Sequence, residues 1–145
     1  MSTMTLTEVL SRHDISVADE LLADIEVPVL TGVQRQGDVL IVPRGKLGVA
    51  ERAAMASIPA TGVAVVRGEA TGNTHLLDAI DGDCRWSAHE SRSTGDLVLG
   101  VLEVPEGALA ALIHTDEHGC NMIGAGVYVL HGKREMADEI RRVAD

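Results

Sequence analysis

The spacing of apolar residues divides the chain into a helical beginning and a strand-rich remainder. Thr5 followed by Glu8 has the form of a capping box, and Leu6, Val9 and Leu10 then share one helical face, which predicts a short helix ending near Asp14. Ser16 caps a second predicted segment, in which Val17, Leu21, Leu22 and Ile25 recur at helical spacing until Pro28 closes it. After Pro28 short Val-rich or Leu-rich runs alternate with Gly-containing turns, and strands are predicted over residues 38–42, 62–70, 74–80, 96–104, 109–114 and 126–132. Gln36-Gly37-Asp38 reads as a turn before the first strand, and Thr71-Gly72-Asn73 as the turn of an antiparallel hairpin joining the second and third. Residues 49–56 have the propensity for two turns of helix, stopped by Pro59, and the polar stretch 88–95 reads as an exposed hairpin loop.

This pattern predicts a mainly β protein, a small antiparallel barrel or sandwich with a short N-terminal helical arm: an arm over residues 1–32 and a β-rich domain over 33–145. The apolar faces of the arm, Leu6-Val9-Leu10 and Val17-Leu21-Leu22-Ile25, must be buried against something. The expectation is that they dock on another chain rather than join the β-core.

Composition changes this picture by exclusion. The 145 residues fit one domain, and their 46% hydrophobic content comes from Val, Leu, Ala and Ile, with no Phe, one Tyr (Tyr128) and one Trp (Trp86). Single-stranded nucleic acids are held on aromatic platforms and all nucleic acids by clustered basic charge, so this chain, with net charge -10, is expected to have no nucleic-acid partner. No apolar run approaches the roughly 18 residues of a bilayer span, and the first residues lack the regions of a signal peptide, so no membrane partner is expected and the protein is expected to stay in a cytosol. Cys84 and Cys120 do not form a C-x-x-C pair; they read as small buried hydrophobes, with a disulfide or a reactive thiol as the alternatives.

Candidate chemistry concentrates in Leu112-Ile113-His114-Thr115-Asp116-Glu117-His118-Gly119, where a strand end runs into a turn. Imidazole and carboxylate are ligands for divalent transition metals, and positions 114 and 118 share a face in either a strand or a helix. His114, His118 and Glu117 are therefore candidate metal ligands, with solvated loop residues as the competing reading, and His75 at the start of another strand offers a third imidazole. The arrangement differs from the H-E-x-x-H of zinc proteases. No G-x-S-x-G elbow and no phosphate-binding glycine loop occurs, so no catalytic residue is assigned and no cofactor is expected, the alternative being a divalent transition metal.

Several segments together resemble a family of small proteins of actinobacteria and their phages: Gly68-Glu69-Ala70-Thr71-Gly72-Asn73-Thr74-His75, His114-Thr115-Asp116-Glu117-His118, Gly126-Val127-Tyr128 and Arg134-Glu135-Met136. The shared patterns are G-E-x-T-G-x-x-H, H-x-x-E-H and G-x-Y, and the resemblance covers roughly residues 35–145. Asn73 stands where the family pattern has the first of two histidines, and Met136 where it has an aromatic residue. If the family's histidines form a cupin-like metal centre, this chain is one ligand short. With the absent catalytic motifs, the acidic arm and the aliphatic composition, the resemblance leads to the expectation of a non-enzymatic structural or interaction subunit that associates with itself or with a larger assembly, as a minor or decorating virion component if the source is a phage. The alternative is a cupin-like metal-binding protein using His75, His114 and His118.

Overall fold

The computed structural model describes residues 4–15, 25–66, 74–91, 97–115 and 119–132. Two sheets face each other as a sandwich, as the alternating patterns predict. In chain order the elements are α1 (Leu6–Ser11), β1 (Val29–Leu30), β2 (Gln34–Gln36), β3 (Val39–Arg44), α2 (Val49–Ala54), β4 (Ala56–Ser57), β5 (Val63–Val66), β6 (His75–Asp81), β7 (Arg85–Ser91), β8 (Leu97–Val104), β9 (Leu109–His114), β10 (Gly119–Ile123) and β11 (Gly126–Gly132). The five-stranded sheet has the order β1-β10-β9-β6-β5 and the six-stranded sheet β2-β3-β11-β8-β7-β4.

Successive hairpins alternate between the sheets: β5–β6 and β9–β10 lie in one, β2–β3 and β7–β8 in the other. The hairpin read at Thr71-Gly72-Asn73 pairs as expected, Val63 opposite Leu77, although its turn lies outside the described residues. So do the second predicted helical segment up to residue 24 and the tail from residue 133.

Between the sheets lies an aliphatic core that includes Val39, Ile41, Leu77, Leu102, Leu112, Ile123 and Leu130. Both large rings of the chain belong to it. Trp86 lies against Gly100, where a methyl group would overlap the indole, and the Tyr128 hydroxyl donates to the Gly124 carbonyl at 2.8 Å.

The polar stretch that reads as a loop is in part strand. Residues 88–91 continue β7, paired antiparallel with β8 through a register shift between Ala88 and Ser91. Earlier in β7, Trp86 points inward while Arg85 and Ser87 face out, and residues 92–95 of the stretch lie outside the described residues.

The first helix of the arm also departs from expectation, whereas Val17, Leu21 and Leu22 of the second apolar face lie outside the described residues. Thr5 and Glu8 form the predicted capping box on α1, with Thr5 Oγ1 accepting from the Glu8 amide at 3.2 Å. The helix does not reach for another chain, however. Val9 and Leu10 are fully buried on the outer face of the five-stranded sheet, with Leu109, Ala111, Ile113 and Met122. A helix of six residues is marginal alone, whereas each buried aliphatic side chain contributes about 1.5–3 kcal/mol, so the sheet is what holds the helix. β9, covered on both sides, is buried at all six positions.

Candidate functional site

Strand order decides where the predicted histidines meet. β6 lies beside β9, and the antiparallel register sets His75 directly opposite His114. Both face the interior at one end of the sandwich, because Leu77 and Leu112 two residues along point into the same core. The imidazoles are only 1% and 2% exposed and meet edge to face, with ring centroids 4.6 Å apart and planes at 88°. Glu117 and His118, the other two candidate ligands, lie outside the described residues.

Across from the pair, β2 presents Gln34 and Gln36 inward, and Gly37, at φ +56°, turns β2 into β3 beside the His75 ring. The side-chain amides order themselves by their donors. Gln36 Nε2 donates to the Leu112 carbonyl at 2.6 Å and to Asn121 Oδ1 at 3.0 Å, which leaves Gln36 Oε1 as an acceptor, 2.9 Å from His75 Nδ1. Neutral His75 therefore carries its proton on Nδ1, and its Nε2 holds a lone pair. Asn121 Nδ2 in turn donates to Gln34 Oε1 at 3.2 Å, and Gln34 Nε2 to the Met122 carbonyl at 3.2 Å. The result is a one-way chain of donors from His75 through Gln36, Asn121 and Gln34 to Met122, in which each bond polarises the next and two strands of one sheet are tied to β2 of the other.

Burial, and after it the neighbouring His114, pushes the His75 imidazolium down to about 4, with Asp38 acting in the opposite sense. The ring is thus neutral at physiological pH, and it can offer a metal, a proton or a hydroxyl only the Nε2 lone pair. Among the described residues no three His, Cys, Asp or Glu side chains gather as a metal-binding group.

A second polar cluster sits on the opposite face of β6. Asp78, 1% exposed, accepts from Arg12 Nε at 2.8 Å and lies 2.9 Å from His13 Nε2. The bond to Asp78 raises the Arg12 guanidinium above its ordinary value. Since Arg12 also reaches the Ala79 carbonyl at 3.4 Å, these residues fasten the end of α1 to the sheet.

Sequence reasoning found His75 and His114 but missed the partners of both clusters. The signal for the second lay in β6 itself, where Asp78 stands amid aliphatic residues and a buried carboxylate requires a partner. For the first, only the i, i+2 repeat of Gln34 and Gln36 hinted at an inward polar row.

Neither thiol offers a nucleophile. Cys84 and Cys120 are unpaired, and burial pushes them up to about 11 and about 12. No helix among the described residues is long and apolar enough to cross a membrane. No curated protein and no solved structure matches the chain. A family described as a domain of unknown function (DUF8820) matches residues 35–133.

Proposed function

This chain belongs to the DUF8820 family, and on that premise we propose that it is a non-enzymatic structural or interaction subunit that works by association, with copies of itself or within a larger protein assembly. One observation carries the reading. The outer face of the six-stranded sheet holds Leu40, Val42, Val98, Val101, Val127 and Val129, all partly exposed, and among the described residues only α2 stands over it. Soluble monomers seldom leave a contiguous aliphatic face of this kind uncovered. If the source is a phage, one of the two origins that the motif resemblance allows, a minor or decorating component of the virion is the assembly that fits. Burial of Trp86 and Tyr128 in the core leaves no Trp, Tyr or Phe on the surface for bases, which together with the net charge of -10 supports excluding nucleic acid as partner. Multi-angle light scattering on the purified chain, alone and mixed with the structural proteins encoded beside it, tests the reading. A strict monomer that joins none of them overturns it.

A second reading is favoured by the His75–Gln36 bond. Metal-ligating histidines characteristically donate the other ring N–H to an oxygen, as His75 Nδ1 does here. In that reading the chain is a cupin-like binder of a divalent transition metal, with His75, His114 and His118 as ligands and Glu117 as a fourth candidate. Near-stoichiometric zinc, nickel, iron or manganese after purification, lost in both His114→Ala and His118→Ala, is its expected result. A metal-free protein that also fails to take up added zinc or nickel refutes it.

A further inference from the structure

The outer face of the six-stranded sheet is ordered in rows by strand register. A central row runs Val42, Val129, Val101, Ser87 across β3, β11, β8 and β7. On one side lies Arg44, Val127, Glu103, Arg85, and on the other Arg35, Leu40, His131, Val98, with Arg35 contributed by β2. The middle is thus aliphatic and the margins are charged, which is the anatomy of a protein interface.

Charge says what fits it. Arg44 holds Glu51 at 2.6 Å, Arg52 of α2 holds Glu103 at 3.2 Å, and Arg85 holds Asp83 at 3.3 Å, while Arg35 stands at the margin in addition. Among the described residues, cations at this face therefore match or exceed carboxylates, in a chain whose net charge is -10. Two copies meeting here keep their excess negative charge on the far sides, whereas contact through an acidic surface would bring like charges together.

Size sets the form of the contact. Four strands, β3, β11, β8 and β7, about 4.8 Å apart and each giving about six residues at about 3.4 Å, make a face of about 390 Å² in plan, part of it under α2, so that a specific interface here includes the exposed side of α2 as well as the open strands. α2 adds a complementary relief. It bridges a cavity of about 520 Å³ lined by Ala54, Met55, Val98, Val101 and Val129 among others, and it projects Val49, 91% exposed, away from its own sheet.

The geometry points to a second copy of this chain as the occupant: two copies meet outer face to outer face about a two-fold axis, with the Val42-Val129-Val101 row and the α2 that partly covers it at the centre of the contact. This rests on the association reading above and specifies its partner and surface. A two-fold contact uses the same patch on both copies, and a patch that is aliphatic at its centre and charge-balanced at its margins is self-complementary.

The test is sedimentation equilibrium of the full chain from 1 to 100 µM, with folding checked by circular dichroism. The wild-type chain is expected to dimerise within this range, V129R to be a folded monomer with association weakened at least 100-fold, and V33R, altered at an exposed residue outside the face, to dimerise like wild type. V42K, opposite Val129 on β3 in the central row, gives the same reading if V129R fails to fold. A wild-type oligomer that survives V129R and V42K overturns this face while sparing association. A wild-type chain that stays monomeric to 100 µM overturns the second copy as occupant.

Discussion

The two sheets of the sandwich solve the same problem differently. Each has an inner face in the shared core, but the five-stranded sheet is covered on its outer face as well, by α1 and the chain around it, whereas the six-stranded sheet meets only α2 there among the described residues. Chemistry follows coverage. His75, Asp78 and His114, the three buried imidazole or carboxylate residues described, all lie on β6 and β9 at the centre of the doubly covered sheet. A strand enclosed on both sides can bury a charge-bearing group on either face and impose its partners, whereas β2 of the other sheet buries only the neutral amides of Gln34 and Gln36, on its inner face. The buried imidazole and carboxylate groups described therefore belong to the five-stranded sheet, and the six-stranded sheet offers surface.

The largest expected effect comes from uncovering the first sheet. Removing residues 1–15 forfeits the burial of Val9 and Leu10, worth about 3–6 kcal/mol together, and exposes Leu109, Ala111 and Ile113. Thermal and urea unfolding of the truncated chain should show a fall of many degrees, and a loss of only a degree or two would erase the contrast between the sheets.

Acid should act on the same sheet. The unfolded His75 imidazole takes up a proton near its ordinary 6.5, and the folded one refuses it until about 4. Stability is therefore at full strength above pH 6.5, declines as pH falls towards about 4 and levels off below, a total of roughly 3 kcal/mol. Urea midpoints between pH 7.5 and 4 give the slope, and His75→Asn should flatten it. An unchanged slope in that variant would assign the acid sensitivity elsewhere.

Somewhat smaller is the effect of Arg12→Ala. It leaves the buried Asp78 with His13 as its remaining partner in the cluster. The full cost of breaking a buried pair is about 3–5 kcal/mol, and because Arg12 is 37% exposed about 2 kcal/mol is the expected loss. Asp78→Asn should cost less, since it removes the buried charge itself. The reverse order in chemical denaturation would show that the guanidinium, not the carboxylate, is the group that needs the partner.

At the bottom of the scale stand Val101→Ala and Val129→Ala. Measured at concentrations too low for association, these partly exposed outer-face changes should each cost less than about 1 kcal/mol. A loss of several kcal/mol in dilute solution would mean that this face is covered within the single chain.

How far the sequence reveals this arrangement depends on which way the polar residues point. Strands β3, β6, β8, β9 and β11 fall where the Val and Leu runs predict them, because inward aliphatic positions dominate their patterns. β2 and β10 escape notice because they turn Gln34, Gln36 and Asn121 inward, which inverts the expected alternation. β4 is too short to carry a pattern. For the site, residue types single out His75 and His114, yet their meeting depends on β6 lying beside β9, a pairing of residues 39 positions apart that no local signal encodes. The fastening of α1 is equally non-local: Arg12 and Asp78 are 66 positions apart.

The position of β11 has a consequence for the order in which the molecule is built. The last described strand lies in the middle of the six-stranded sheet, between β3 and β8. Until it emerges from the ribosome, β2–β3 and β7–β8 are two unjoined hairpins, each with an open hydrogen-bonding edge waiting for a strand made later. Such long-range closure folds slowly, in milliseconds to seconds, and leaves those edges open to mispairing in the meantime. Premature termination before Gly126 would therefore not shorten this sheet but divide it, releasing nascent chains whose β3 and β8 edges invite each other across molecules.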